Sequence, residues 1–370
     1  MDPITDLSFA ERRQLGRIIG IAVGAAFAAG LVVAGVFWRR QVRALVSRAK
    51  PYTRKRNRAE SPALIINRWS GDGKAEKFGL VTAAEKAGIR TILLERWDDL
   101  TQLAHDAISG GADAIGMAGG DGSLGLVAAV AAERGVPFFC VPVGTRNHFA
   151  LDLGLDRDDP LAALEALKKG NELLIDYAVA GGRPFLNNVS FGVYAQAVHE
   201  DDYRAKKLST LAEILTEAAM KVESQAALRY VTPDGQSHER APLLLVSNNL
   251  YRYSGYPDYG RRLRLDSGKL GVGAVTNLPE DVGVAGLTLD QLRGLHQWET
   301  TSYRIESDEP ILAGVDGEAV EFTSPLNLSI RPKGLRVLVP AGVRPGWVPK
   351  REAIAAKLLD LAETAGLSEA

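Results

Sequence analysis

Apolar positions along the chain fall into three textures. The first is one unbroken run, Ile18 to Phe37, twenty residues without a charge. At 1.5 Å per residue it is long enough for a hydrocarbon core of about 30 Å, so it predicts a transmembrane helix. A cleaved signal peptide and a buried core helix are the competing readings, but the run exceeds the usual signal h-region. The second texture is short apolar runs separated by helical periodicity. Ala63 to Asn67, Ile89 to Leu94, Ala114 to Ala118 and Phe138 to Val143 predict buried strands, because runs of this length without alternation suit a sheet covered on both faces. Between them lie a helix ending near Lys86, a helix over Leu100 to Ser109, and a helix over Leu124 to Glu133 in which Leu124, Val127, Ala128, Ala131 and Ala132 share one face. Pro160 to Lys169 predicts a short surface helix. The third texture begins at Leu173 to Val179. Ala226 to Val231, Leu243 to Ser247, Gly271 to Val275 and Thr300 to Ile305 alternate, with a hairpin-type turn at Pro233 to Gly235 and one substantial helix, Tyr203 to Val222. Pro349 to Thr364 is an amphipathic helix with Ile354, Leu358, Leu359 and Leu361 on one side; docking on the core is its ordinary reading.

These elements predict an α/β domain with a mainly parallel sheet, a β-rich second domain and an N-terminal transmembrane helix. The expected partition is a membrane anchor and basic segment over 1–60, the α/β domain over 61–175, the β-rich domain over 176–340 and a helical extension over 341–370, with residues from about 310 returning to the first domain.

Charge sharpens the picture. The net charge of −1 conceals an asymmetry: residues 1–60 carry 12 Lys+Arg against 4 Asp+Glu, and the remainder carries 32 against 41. The mildly acidic bulk argues against nucleic-acid binding, which wants a basic face. Nine basic residues from Arg39 to Arg58 follow the apolar run, against Arg12, Arg13 and Arg17 before it. That bias places the C-terminal side in the cytoplasm, hence a single-pass protein of the inner or plasma membrane. The basic stretch suits anionic headgroups or a solvated linker. Gly20 and Gly24 form one G-x-x-x-G, which leaves a homodimer open but is ordinary in a Gly/Ala-rich span. Cys140 is the only cysteine, and the five histidines are scattered, so no disulfide within the chain and no Cys/His metal spacing exists.

The candidate chemistry sits at the ends of two predicted strands. Gly119-Gly120-Asp121-Gly122-Ser123 follows one, and Gly144-Thr145-Arg146-Asn147 follows the next. Two parallel strands joined by one helix put both loops at the same sheet edge, where open α/β sheets bind ligands. Glycines let backbone N–H groups approach anionic oxygens at a helix N-terminus. Asp121 would repel a bare phosphate, so it implies an intervening Mg²⁺ or a proton. A plain Gly-Asp-Gly turn is the competing reading. Gly120, Gly122 and Gly125 also spell the dinucleotide fingerprint, but the position where it wants an acidic residue holds Val141 to Gly144, and no G-K-[ST] of a Walker loop occurs.

"GGDGS" followed by "PVGTRNHFALDLG" resembles the nucleotide-binding core of the diacylglycerol kinase catalytic domain family, which includes bacterial lipid kinases and sphingosine kinases. The likeness extends through "ALIINRWSGDGKA", "FLNNVSFGVYAQAV", "LLLVSNNLYRYSG", "LRLDSGKLGV" and "GVDGEAV", covering roughly Ser61 to Pro340. It implies ATP as phosphoryl donor with Mg²⁺, and a lipid hydroxyl, foremost that of diacylglycerol, as acceptor. It implies nucleotide contacts at Asn67, Gly119, Gly120, Asp121, Gly122, Ser123, Gly144, Thr145 and Asn147, with Asp121 at the nucleotide's Mg²⁺. Glu318 would accept the hydroxyl proton, with Asp316 beside it. The chain departs from the pattern at Arg68, where the family has proline, at Ser123, where threonine is usual, and at His148. Ser267 replaces the aspartate of a structural metal site, leaving Asp266 as its remaining candidate ligand. A sphingoid base, a soluble acceptor, and a non-catalytic nucleotide- or lipid-sensing membrane protein are the alternative functions.

Overall fold

The computed structural model describes residues 53–55, 59–192, 228–239, 243–252, 261–262, 264–275 and 295–343. All of them belong to one compact unit, Pro51–Ala370. The apolar run Ile18 to Phe37 with its Gly20 and Gly24, most of the basic stretch after it, and the helices expected at Tyr203 to Val222 and Pro349 to Thr364 lie outside the described residues. Among the described residues no helix is long and apolar enough to cross a membrane.

In chain order the first strands are β1 (Thr53–Lys55), β2 (Pro62–Ile66), β3 (Arg90–Leu93), β4 (Ala114–Gly119), β5 (Phe138–Pro142), β6 (Gly170–Ala180) and β7 (Arg183–Phe185). Helices α1 (Lys74–Lys77), α2 (Leu80–Lys86), α3 (Leu100–Ser109), α4 (Asp121–Glu133), α5 (His148–Asp152) and α6 (Ala166–Lys169) separate them. Then come β8 (Asn188–Gly192), β9 (Tyr230–Val231), β10 (Ser237–His238), β11 (Leu243–Asn248), β12 (Tyr251–Arg252), β13 (Arg261–Arg262), β14 (Leu270–Val275), β15 (Leu295–Thr300), β16 (Ser302–Ile305), β17 (Ile311–Val315), β18 (Glu318–Phe322) and β19 (Leu326–Pro340).

The first sheet runs β1-β6-β19-β5-β4-β2-β3, with β19 to β3 parallel and β6 antiparallel to β19. Strands β2, β4 and β5 are buried throughout because alternate residues feed cores on opposite faces. Ala63, Ile65, Ile115, Met117, Phe138 and Cys140 pack on one face with α3 and α4. Leu64, Ile66, Ala114, Ala118, Phe139 and Val141 pack on the other with α2. This two-sided burial is the physical content of the unbroken runs. Cys140 is one of the buried residues, and burial holds its thiol well above the ordinary range. The chain order β3-β2-β4-β5 reverses direction between β2 and β4. That is a switch point, the place where loops diverge and leave a crevice at the strand ends.

The second sheet runs β15-β14-β11-β8-β17-β18, antiparallel throughout, over its own core that includes Phe185, Phe191, Leu244, Val272 and Ala313. Local chemistry moved several boundaries. The helix ending at Lys86 is two helices, split at Gly79 with φ 61°. Thr300 to Ile305 is the end of one strand and the whole of another, broken at Thr301. The predicted surface helix is a 3-10 turn, Pro160–Glu165, running into α6, and it buries Ala163 and Leu164. The Pro233 to Gly235 turn does close a hairpin, pairing Ser237 with Val231.

Candidate active site

Three loops meet at the switch point. The loop after β2 folds on itself: Asn67 Oδ1 accepts the Trp69 N–H at 3.0 Å, and the Asn67 N–H reaches the Ala118 carbonyl at 2.9 Å. Gly71, at φ 59°, lies so close to the loop after β5 that a Cβ would stand 2.2 Å from the Val143 carbonyl oxygen. Gly144 donates its N–H to the Gly119 carbonyl at 3.1 Å, and a Cβ there would fall 2.6 Å from the Gly120 Cα. Backbone therefore touches backbone across all three loops, and only glycine fits the contacts.

The Gly119–Ser123 segment is less of a loop than the sequence implies. Asp121 opens α4, three residues ahead of the predicted start, with Gly120 as a cap that supplies no side-chain acceptor. The first N–H groups of a thirteen-residue helix thus lack a side-chain cap, and with the helix dipole behind them they suit an anion. Thr145 is exposed beside it.

Asp121 has a defined structural task. Its two carboxylate oxygens accept the His148 and Phe149 N–H groups at 3.1 and 3.0 Å, tying the start of α5 to the start of α4. Asn147 is wholly buried at φ 52°; its Oδ1 accepts the Gly144 N–H at 3.0 Å and its Nδ2 donates to the Gly144 carbonyl at 2.6 Å. It shapes the Gly144–Asn147 turn that faces Gly119 and Gly120.

Asp316 and Gly317 form the two-residue turn between β17 and β18, with Val315 paired to Glu318 and φ of 47° and 85°. Positive φ at both positions is the Asp-Gly hairpin geometry. This hairpin leans on α4. A Cβ on Gly122 would lie 2.1 Å from Glu318 Oε1, and one on Gly125 would lie 3.2 Å from Asp316 Oδ2. The G-x-G-x-x-G spacing that imitates a dinucleotide fingerprint therefore has a different cause: Gly122 and Gly125 clear a face of α4 for two carboxylates.

The two carboxylates differ. Asp316 accepts the N–H groups of Leu186, Asn187 and Asn188 at 2.8, 2.8 and 3.0 Å. Burial pushes its carboxyl up to about 7, the Asp121 charge adds to this, and the three N–H bonds oppose it. Glu318 is 41 % exposed at its side chain and accepts a 2.8 Å bond from Arg183 Nη2. An ion pair this exposed contributes at most about 1 kcal/mol, so it orients Glu318 more than it stabilises the fold. Arg183 follows the Gly181-Gly182 turn, and nothing in the sequence singles it out.

Asp266 lies apart, paired with Arg264 at 3.0 Å. The buried carboxylate nearest its loop is Asp176, which accepts the N–H groups of Gly268 and Lys333 at 2.6 and 2.7 Å and Asn249 Nδ2 at 2.8 Å. Among the described residues no three of His, Cys, Asp and Glu gather closely enough to hold a metal on their own.

An uncapped helix start at a switch point is thus faced by a hairpin that carries two carboxylates. Residues 61–180 match the diacylglycerol kinase catalytic domain family. The chain is 27 % identical over 295 residues to a Pseudomonas fluorescens protein named "Probable lipid kinase YegS-like", covering 76 % of this chain and 96 % of that one. It is 26 % identical over 229 residues to the diacylglycerol kinase of Bacillus subtilis, covering 60 % and 76 %. It spans 57 % of an uncharacterized Synechocystis protein at 25 % identity. A crystal structure of a diacylglycerol kinase from Bacillus anthracis str. Sterne shares the fold, with TM-score 0.55 and 20 % identity over 78 % of this chain and all of the other. The domain matched at residues 61–180 and the named homologues indicate a lipid kinase, a phosphotransferase.

Gly122 offers a direct check. In Gly122→Ala the added carbon meets the far end of a flexible side chain, so Glu318 swings away while the backbone stays. The expected outcome is a melting temperature within about 2 °C of the parent and turnover reduced at least about tenfold, since small misplacements of reacting groups cost that much or more.

Proposed function

We propose that the protein transfers the γ-phosphoryl group of ATP to a hydroxyl of a membrane lipid, with diacylglycerol the first candidate and phosphatidic acid the product. The observation that carries this reading is the approach of the Glu318 carboxylate to Gly122, at the uncapped start of α4. One feature binds phosphate and the other accepts a proton from an alcohol. In this reading the N–H groups from Gly120 to Ser123 and the Thr145 hydroxyl hold the phosphates. Glu318, oriented by Arg183, accepts the acceptor's hydroxyl proton as its oxygen bonds to phosphorus and ADP leaves.

Mg²⁺ fits this donor set. Each Asp121 oxygen takes one backbone N–H, which leaves acceptor capacity on a carboxylate with about four lone-pair sites. One carboxylate completed by phosphate oxygens and waters is the usual setting for the ion. When bound, Mg²⁺ supplies charge neutralisation on the phosphate oxygens.

The run Ile18 to Phe37 and the basic residues after it support a single-pass anchor with the catalytic part on the cytoplasmic side. An anchored enzyme meets lipid acceptors at the surface, which favours a lipid over a soluble acceptor.

The raised carboxyl of Asp316 supports a second assignment of the base. A base must be deprotonated to act, so turnover rises with pH through its pKa. An ascending limb near pH 7 that vanishes in Asp316→Asn assigns the base to Asp316; a limb absent from that range, with activity lost in Glu318→Gln, assigns it to Glu318. The reading as a whole is tested with γ-labelled ATP and a panel of diacylglycerol, a sphingoid base, ceramide and phosphatidylglycerol. Metal-dependent label in one lipid supports it. Bound ATP with no labelled lipid points to a soluble acceptor or a sensor.

A further inference from the structure

A buried ion pair joins the two halves of this site. Arg262, in β13, is 0 % exposed, and Asp152, the last residue of α5, is 2 % exposed. Arg262 Nε donates to Asp152 Oδ2 at 2.7 Å and its backbone N–H to Asp152 Oδ1 at 3.3 Å. The same guanidinium donates through Nη1 to the carbonyls of Leu186 and of Asn248, the latter at 2.8 Å, and through Nη2 to Asn187 Oδ1 at 2.7 Å. Its Cζ lies over the Tyr251 ring, 5.3 Å from the centroid.

Two features of this arrangement point beyond stability. The segment Leu186 to Asn188 is gripped from both sides: Arg262 takes a carbonyl and an amide oxygen, while Asp316 takes three N–H groups. At its other end, α5 is held by Asp121 through the His148 and Phe149 N–H groups. A continuous set of charge-assisted bonds therefore runs from Asp121 through α5, Asp152, Arg262 and the 186–188 segment to Asp316, two residues from Glu318. Buried charge pairs add little net stability compared with apolar replacements, and their best-attested use is to select one geometry.

We propose that Asp152 and Arg262 are positioning residues that set the separation between the phosphate-binding start of α4 and the Asp316–Glu318 hairpin. The assignment rests on the kinase reading for its kinetic consequence, while its structural consequence does not depend on that reading. Lysine at 262 keeps the charge but cannot supply the forked set of donors, so the segment loses its hold. Arg262→Lys should lower kcat about tenfold or more with KM for ATP within about twofold, as misplaced reacting groups do. The amides of Leu186, Asn187 and Asn188 should exchange faster with deuterium. The double variant Asp152→Leu with Arg262→Met removes both charges and leaves none unpaired. It leaves the buried Asn248 carbonyl and Asn187 Oδ1 without their Arg262 donors, so it should melt several degrees below the parent yet stay folded, with the same fall in kcat and the same loss of amide protection.

The full-length protein in detergent serves for all measurements. A folded double variant with parental kcat and parental exchange at 186–188 overturns the proposal. If the parent labels no lipid, the kinase reading fails, and the exchange data still decide the proposal: faster exchange at 186–188 supports it and unchanged exchange overturns it. Should Arg262→Lys fail to fold, the double variant decides.

Discussion

Replacing Glu318 with alanine is expected to leave ATP affinity within about twofold of the parent and to lower turnover by about 10²- to 10⁴-fold, the usual contribution of a positioned acid or base. The structure separates the two effects. The Glu318 carboxylate stands over Gly122 but gives the Gly119–Ser123 segment no hydrogen bond; its partner is Arg183. Its loss removes a proton acceptor and frees a half-exposed arginine, neither of which shapes the phosphate-binding helix end. Isothermal titration with ATP and steady-state transfer kinetics measure the two quantities, and a fully active Glu318→Ala protein contradicts the role.

Asp121→Ala is expected to impair binding and turnover together. The carboxylate is the acceptor for two N–H groups at the start of α5, one of them on the fully buried Phe149. A buried donor left without a partner costs about 1–3 kcal/mol, and here the cost falls on the contact that ties the start of α5 to the start of α4. ATP affinity should fall at least about tenfold, the melting temperature should drop by several degrees, about 1–3 kcal/mol's worth, and turnover should fall further than affinity. The same titrations, with a thermal melt, check it; unchanged affinity in a folded variant contradicts the account.

How legible was this in the sequence? The first sheet was legible because its strands are buried on both faces, and the apolar runs at Ala63, Ala114 and Phe138 carry no other plausible reading. The two glycine loops were legible as one ligand edge because a single helix joins parallel strands. The glycines were legible only in part. The missing acidic residue sets aside the cofactor fingerprint that Gly122 and Gly125 help to spell, but their cause is a hairpin about 190 residues downstream in sequence, and such long-range contact leaves no local pattern. The resemblance singles out Asp316 and Glu318, but only the fold shows that Asp316-Gly317 is a tight turn setting Glu318 beside Gly122. Asn147 read as a ligand contact because its motif resembles one, yet its amide closes its own turn.

The residues not anticipated are those whose role comes from three-dimensional pairing. Arg183 sits in an unremarkable Gly-Gly-Arg hairpin, and Arg262 in a basic stretch, Arg261 to Arg264, that would pass for solvated surface. Arg262 is fully buried, because Asp152 and three oxygens wait for it. Near the Asp266 loop, likewise, pairing is not written in the sequence: Asp266 pairs with Arg264, and Asp176 accepts N–H donors from Gly268, Lys333 and Asn249.

A structure of the full-length protein with Mg²⁺, a non-hydrolysable ATP analogue and a short-chain diacylglycerol tests the central claim most directly. The account predicts the γ-phosphate at the start of α4 between Gly120 and Thr145, and the acceptor hydroxyl within hydrogen-bond reach of Glu318, about 2.6–3.2 Å. A nucleotide seated away from the α4 terminus, or an acceptor hydroxyl turned from both Glu318 and Asp316, would contradict it.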